Sequence, residues 1–272
     1  MSATIITKQR GTFWRRFVPL FGAGLVGVAA GMPVILPVLQ QLVASAPPGV
    51  ALPPLPVLVA AQIGQLVVLI GGAVAAGVAC ALRVGLRSHI AESGVGGTRP
   101  WAAIKAEMPV AAAAGAATGL AIIVLDRLSQ PWMPAALQAV QAQPRGIGIT
   151  VAGIFYGGIT EELLLRWGLM SLLAWSGWRV VQRAQGAPRA WLMWTAIGVS
   201  ALLFGAGHLG AAAALAPLTP AVVVRTVLLN AGAGVVFGYL FWRRSLEAAM
   251  VAHAGAHVAM TLLGVVLTAL GA

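Results

Sequence analysis

Gly157-Gly158-Ile159-Thr160-Glu161-Glu162-Leu163-Leu164-Leu165-Arg166 is the stretch on which the reading of this chain turns. Three charged residues fall within six positions of a run that is otherwise nearly all apolar. The whole chain of 272 residues holds only six acidic side chains, and two of them are adjacent here. A carboxylate inside an apolar helix is costly, so such a group marks a functional site by default, and its partner has to be found.

The composition says what kind of helix this is. The chain is 60% hydrophobic and 8% charged, with a mean hydropathy of +0.92. Soluble domains carry about 25% charged residues, so the chain reads as a polytopic membrane protein. The expected fold class is all-α, a transmembrane helix bundle of about seven spans. The 34 glycines fit close helix–helix approach in lipid, where packing drives association. A net charge of +11 is compatible with nucleic-acid binding only if the basic residues form a stripe. They are scattered singly between apolar runs, so they read as topology signals and no nucleic-acid partner is expected. Cys80 is the single cysteine, which excludes an intrachain disulfide, and it reads as a small hydrophobe.

Outward from the opening stretch, the apolar runs cover about Phe17–Leu39, Val57–Leu82, Met108–Leu125, Ile147–Trp175, Trp191–Leu215, Ala221–Trp242 and Leu246–Leu270. The first is too long for the core of a signal peptide and is read as a retained helix, bent or ended early by Gly31, Pro33 and Pro37. Ser45–Pro56, with five prolines and no charge, is read as a stiff external turn. Ser129–Gly146 is read as a short interfacial helix with Trp132 at headgroup level. Residues 1–16 form a cytoplasmic N-terminal segment, and 17–272 a single transmembrane domain whose motif-bearing core is 147–270. With the N-terminus inside, thirteen basic residues face inward: Lys8, Arg10, Arg15, Arg16, Arg83, Arg87, Arg99, Lys105, Arg179, Arg183, Arg189, Arg243 and Arg244. Only Arg127 and Arg145 face outward. The bias predicts N-inside and C-outside in the cytoplasmic membrane. The patterns Gly27/Gly31, Gly115/Gly119 and Gly234/Gly238 are read as packing surfaces. Arg225 is read as snorkelling, and His89 is placed in a polar loop without a role.

Three of the four histidines fall within apolar runs: His208, His253 and His257. Together with Glu161 and Glu162 they lie about 12–26 Å from the inner ends at 1.5 Å rise per residue, so tilt can bring them to one pocket. Helix spacing divides the two glutamates. Glu162 and Arg166 are i,i+4 neighbours in the favourable order for an ion pair. Glu161 is rotated about 100° away and is the carboxylate left to face a cavity, where it can act as a general base. Phe204 lies four residues before His208, so its ring can support the imidazole. His253 and His257 share a face at the spacing that zinc sites use on a helix. Two chemistries stay open for these atoms. Glu161, His208, His253 and His257 can hold a metal such as zinc. Without metal, Glu161 can polarise a water while the histidines stabilise an oxyanion. His208 alone would more often serve as an interhelical hydrogen bonder, and His257 could act only as an orienter of its neighbour.

The three segments together resemble a family. Glu161-Glu162-x-x-x-Arg166, Phe204-x-x-x-His208 and His253-x-x-x-His257 look like the motifs of the CAAX protease and bacteriocin-processing intramembrane proteases, which include the type II CAAX prenyl endopeptidases. The approach from Ser245-Leu246 to His253-Ala254 is similar as well. The resemblance implies peptide-bond hydrolysis within the membrane by a metalloprotease or a glutamate-dependent endopeptidase, acting on a membrane-embedded or lipidated peptide or protein. It implies that Glu161 activates water, that Glu162 pairs with Arg166, and that His208 and His253 bind a metal or stabilise the oxyanion. His257 stands where the prenyl endopeptidases often have Asn. That departure favours a fourth nitrogen ligand and weakens a prenylated substrate. The alternative from another class is a proton-coupled transporter using the same residues as relay groups, and a third is an inactive membrane scaffold.

Overall fold

The computed structural model describes residues 3–46, 49–96, 99–141, 143 and 145–270. Readings that touch Pro47, Gly97 or the two terminal residues at either end lie outside the described residues. Among those described, every regular element is a helix, with no strand. Seven helices are long and apolar enough to cross a membrane: Gly11–Ala44, Leu55–Val84, Pro100–Trp132, Ile147–Val180, Ala190–Ala213, Pro220–Arg243 and Leu246–Leu267. They are numbered here as spans one to seven. Backbone polar groups have no water to bond in a bilayer core, and a helix satisfies them within the segment. The outward surface carries large apolar side chains, Val68, Leu128, Leu228 and Leu262 among them, as a lipid-facing surface should.

The first helix corrects the expectation of an early stop. It starts at Ala3 and runs through Pro19, Pro33 and Pro37 to Ala44. Proline removes one backbone bond per site, but neither water nor a competing partner is present in an apolar phase to break the helix further. Span three is likewise longer than its apolar run and takes in Lys105, Glu107 and Asp126. The segment read as interfacial carries a short helix, Ala135–Gln141. Met133 and Leu137 pack with Ala212, Ala216 and Val222 in a small cluster apart from the main core, while Trp132 is exposed.

The glycine patterns sit where spans touch. A Cβ on Gly27 would overlap Thr160 and Phe155, and one on Gly31 would press on the Tyr156 ring, so span one lies against span four. Gly115 and Gly119 face the carbonyls of Ala252 and Ala256, which joins span three to span seven. Gly234 and Gly238 face Ala201 and Ile197, joining span six to span five. Between these contacts the core fills with Leu163, Trp167, Met170, Ile197, Phe237 and Phe241. The Trp167 indole N–H donates to the Val74 carbonyl at 3.3 Å, close against Gly77.

Two polar placements differ from expectation. Arg225 does not simply snorkel: it makes an ion pair with Asp126 and so ties span six to span three. His89 is buried, its Nε2 3.3 Å from Glu107. The same segment is clamped by Glu247 at the start of span seven, whose carboxylate accepts from the Ser88 hydroxyl at 2.6 Å and from the His89 and Ile90 N–H groups at 3.0 Å. Sequence reading misses this clamp because Ser88 and Glu247 are 159 positions apart.

Candidate functional site

Span four carries the opening stretch, and its backbone is wider than an ordinary α-helix. Residues 153–161 and 163–170 form π-helical turns, with α-helix before and after. Such turns are rare and cluster at functional sites. Glycines line this stretch where span seven crosses it. A Cβ on Gly153 would run into the His257 ring, and one on Gly158 would lie 3.1 Å from the Ala254 Cβ. The bare backbone therefore lets the histidine rings lie directly on the helix.

Glu162 and Arg166 are both fully buried, with Arg166 Nη1 3.1 Å from Glu162 Oε1. The guanidinium also donates from Nη2 to the Gly234 carbonyl at 3.0 Å and lies over the Phe204 ring at 4.8 Å. Glu162 has a second partner that the sequence does not disclose. Its Oε1 is 2.8 Å from His253 Nδ1. A carboxylate only accepts, so His253 carries its proton on Nδ1 and turns the other nitrogen toward Glu161. Phe237, on span six, stacks on the His253 ring at 4.6 Å and 18°. Nothing in the spacing of Phe237 relative to the motifs points to that role.

Glu161 faces the other way. Its Oε2 is 3.8 Å from His253 Nε2 and its side chain remains partly exposed. It lines a cavity of about 190 Å³ together with Tyr156, Gly157, His208 and His257. His208 stands at the end of the long helix of span five, where the backbone breaks before Leu209. Its Nδ1 is 2.9 Å from the Phe204 carbonyl, and its ring meets Phe204 edge-on at 4.8 Å. A carbonyl only accepts, so the Nε2 of neutral His208 has a lone pair. His253 and His257 are stacked, their rings 5.3 Å apart at 16°. A Cβ on Gly157 would be 3.1 Å from the Nε2 of each, so both point to the same place on span four. His257 Nδ1 is 3.2 Å from Arg145 Nη2. In the sequence, Arg145 reads only as a topology signal.

The structure thus brings Glu161, Glu162, Arg166, Phe204, His208, His253 and His257 into one constellation built from spans four, five and seven. Fit to a metal is a matter of the donor set. Among the described residues, no three His, Cys, Asp or Glu side chains converge so as to hold a metal ion. His257, moreover, receives an arginine N–H on Nδ1, which leaves no lone pair on Nε2 in the neutral ring. In this geometry the expected four-ligand set is not met, because His257 has no lone pair to give and no three of the candidate ligands converge among the described residues.

Residues 143–259 match the family model described as Type II CAAX prenyl endopeptidase Rce1-like. The matched stretch contains all three motifs and leaves the first three spans outside it. No curated protein and no solved structure matches the chain.

Proposed function

We propose that this chain, whose residues 143–259 match the type II CAAX prenyl endopeptidase Rce1-like family, is an intramembrane endopeptidase of the cytoplasmic membrane in which Glu161 activates the attacking water. The family supports a membrane protease. The observation that favours Glu161 as the base is the division of the two acids. Glu162 is occupied by Arg166 and His253, whereas Glu161 lines the cavity with His208 and His257.

In this reading a water held at Glu161 gives its proton to the carboxylate, and the resulting hydroxide attacks the peptide carbonyl carbon. The carbonyl oxygen takes up the negative charge. In this reading His257, with its proton on Nε2, is the ring that can donate to that charge, while the Nε2 lone pairs of His208 and His253 can accept from the water. Collapse of the adduct breaks the C–N bond, and the proton on Glu161 passes to the leaving amine. Glu162 holds the His253 ring in place throughout, as second carboxylates do for histidines in other sites. In this reading no step runs through a metal, because His257 has no lone pair to give as the fourth ligand. The substrate class is a membrane-anchored peptide or protein entering from the bilayer or its surface.

The test is reconstitution into sealed vesicles with membrane-anchored peptides inside the same bilayer. Cleavage is expected with no pH or ion gradient imposed. Gradient-driven uptake without any cleavage would contradict the proposal and favour the transporter alternative.

A further inference from the structure

We infer that Arg145 is a positioning residue that fixes the proton of His257 on Nε2, so that His257 offers the cavity an N–H donor rather than a lone pair. The inference rests on the endopeptidase reading for its consequence, but not for its geometry.

Arg145 lies outside any helix, just before Gly146, whose extended backbone leads into span four. Its side chain reaches span seven, with Nη2 3.2 Å from His257 Nδ1 and Nη1 4.0 Å from the Met260 sulfur. A guanidinium has only N–H donors. His257 Nδ1 must therefore accept, and a neutral imidazole that accepts on Nδ1 carries its single proton on Nε2. A doubly protonated ring would set N–H against N–H. Burial pushes the Arg145 guanidinium below its ordinary pKa, yet an arginine stays charged in proteins and cannot exchange roles with the ring.

The neighbouring ring is set the opposite way. His253 Nδ1 faces the Glu162 carboxylate at 2.8 Å, an acceptor, so its Nε2 carries the lone pair. Two parallel imidazoles 5.3 Å apart thus aim their Nε2 atoms at one place beside Gly157, one accepting and one donating. Unlike tautomers on one helix face suit a site that has to handle a water and an oxyanion side by side. They do not suit a pair of metal ligands, which would need a lone pair from each. An asparagine in place of His257 would bring a donor of its own. His257 needs Arg145 to do the same work.

Two measurements test this. The first is side-chain NMR of isotope-labelled histidine in the detergent-solubilised protein, wild type against Arg145→Met. Wild type is expected to show His257 as the Nε2–H tautomer, and Arg145→Met to shift it toward Nδ1–H. This readout needs no proteolysis, so it separates failure of the inference from failure of the endopeptidase reading. The second is a double-mutant cycle with His257→Asn. With His257 in place, Arg145→Met should lower kcat by about 10–100-fold, at or below the roughly 10²–10³-fold cost of losing an oxyanion donor outright, with KM little changed. In the His257→Asn variant the same change should cost no more than about two-fold, as expected of a residue acting only through its neighbour. Unchanged tautomers in Arg145→Met, or an equal loss of kcat in both backgrounds, would overturn the inference.

Discussion

Glu162 is the residue on which most of the site's order depends. It is fully buried and has two partners, Arg166 on its own span and His253 on span seven. Replacing it by Gln should leave the Arg166 guanidinium without a counter-charge, at a cost of about 3–5 kcal/mol, as measured for breaking buried pairs. The expected result is a lower melting temperature in detergent together with loss of activity. Glu161→Gln, by contrast, should lose activity at unchanged melting temperature. A second residue-scale prediction follows from the proton on His257. A purified preparation dialysed against a strong chelator should keep its turnover, and loss restored by added zinc would contradict the assignment of His257 as a donor. The local half of this picture is legible in the sequence. Glu162 with Arg166 and Phe204 with His208 are i,i+4 pairs, and helix geometry alone brings such pairs together. The bond from Glu162 to His253 is not legible, because it depends on how two spans are rotated against each other. The same holds for Arg145, whose partner lies on a distant span.

At the scale of elements, the site depends on how closely span seven lies against spans three and four. Gly115 meets the Ala252 backbone, and Gly153 meets the His257 ring. A side chain at either position has to displace span seven or rotate a histidine. Gly115→Ala should destabilise the protein by about 1–3 kcal/mol, the usual cost of overpacking, and should reduce activity because Ala252 precedes His253. Gly64→Ala and Gly72→Ala, where an added Cβ meets nothing, are the matched controls. They should be neutral or slightly stabilising, since alanine is the better helix former. Melting curves of the three variants decide the matter. Small-residue spacing is readable as a packing signal, and each pattern does face a neighbouring span. The π-helical turns of span four are not readable, since the same residues suit an α-helix by propensity. The continuation of the first helix through Pro33 and Pro37 escapes for a related reason: rules for helix ends learned in water weaken where water is absent.

Among the described residues, the molecule is a bundle of seven membrane-length helices whose polar groups are few and nearly all spent on holding spans together. Glu247 clamps the segment after span two, Glu107 meets Ser245 and His89, and Asp126 pairs with Arg225. Of the six acidic residues, Glu92 pairs with the exposed Arg87 and Glu162 is committed to Arg166 and His253. That leaves Glu161 as the acid that faces the cavity. Span number and apolar packing are legible from composition and run length, because an apolar run of about 20 residues has few other fates. The charge bias predicts that a reporter fused after Ala272 reads outside. A cytoplasmic signal would refute the seven-span orientation. The central claim rests on Glu161, and a comparison of membrane peptidomes from cells carrying wild type or Glu161→Gln tests it most directly. An amide cannot take the proton from water, so the wild-type cleavage products are expected to disappear at equal expression, a loss of about 10²–10⁴-fold as for other general bases. The same products at undiminished yield from Glu161→Gln would contradict it.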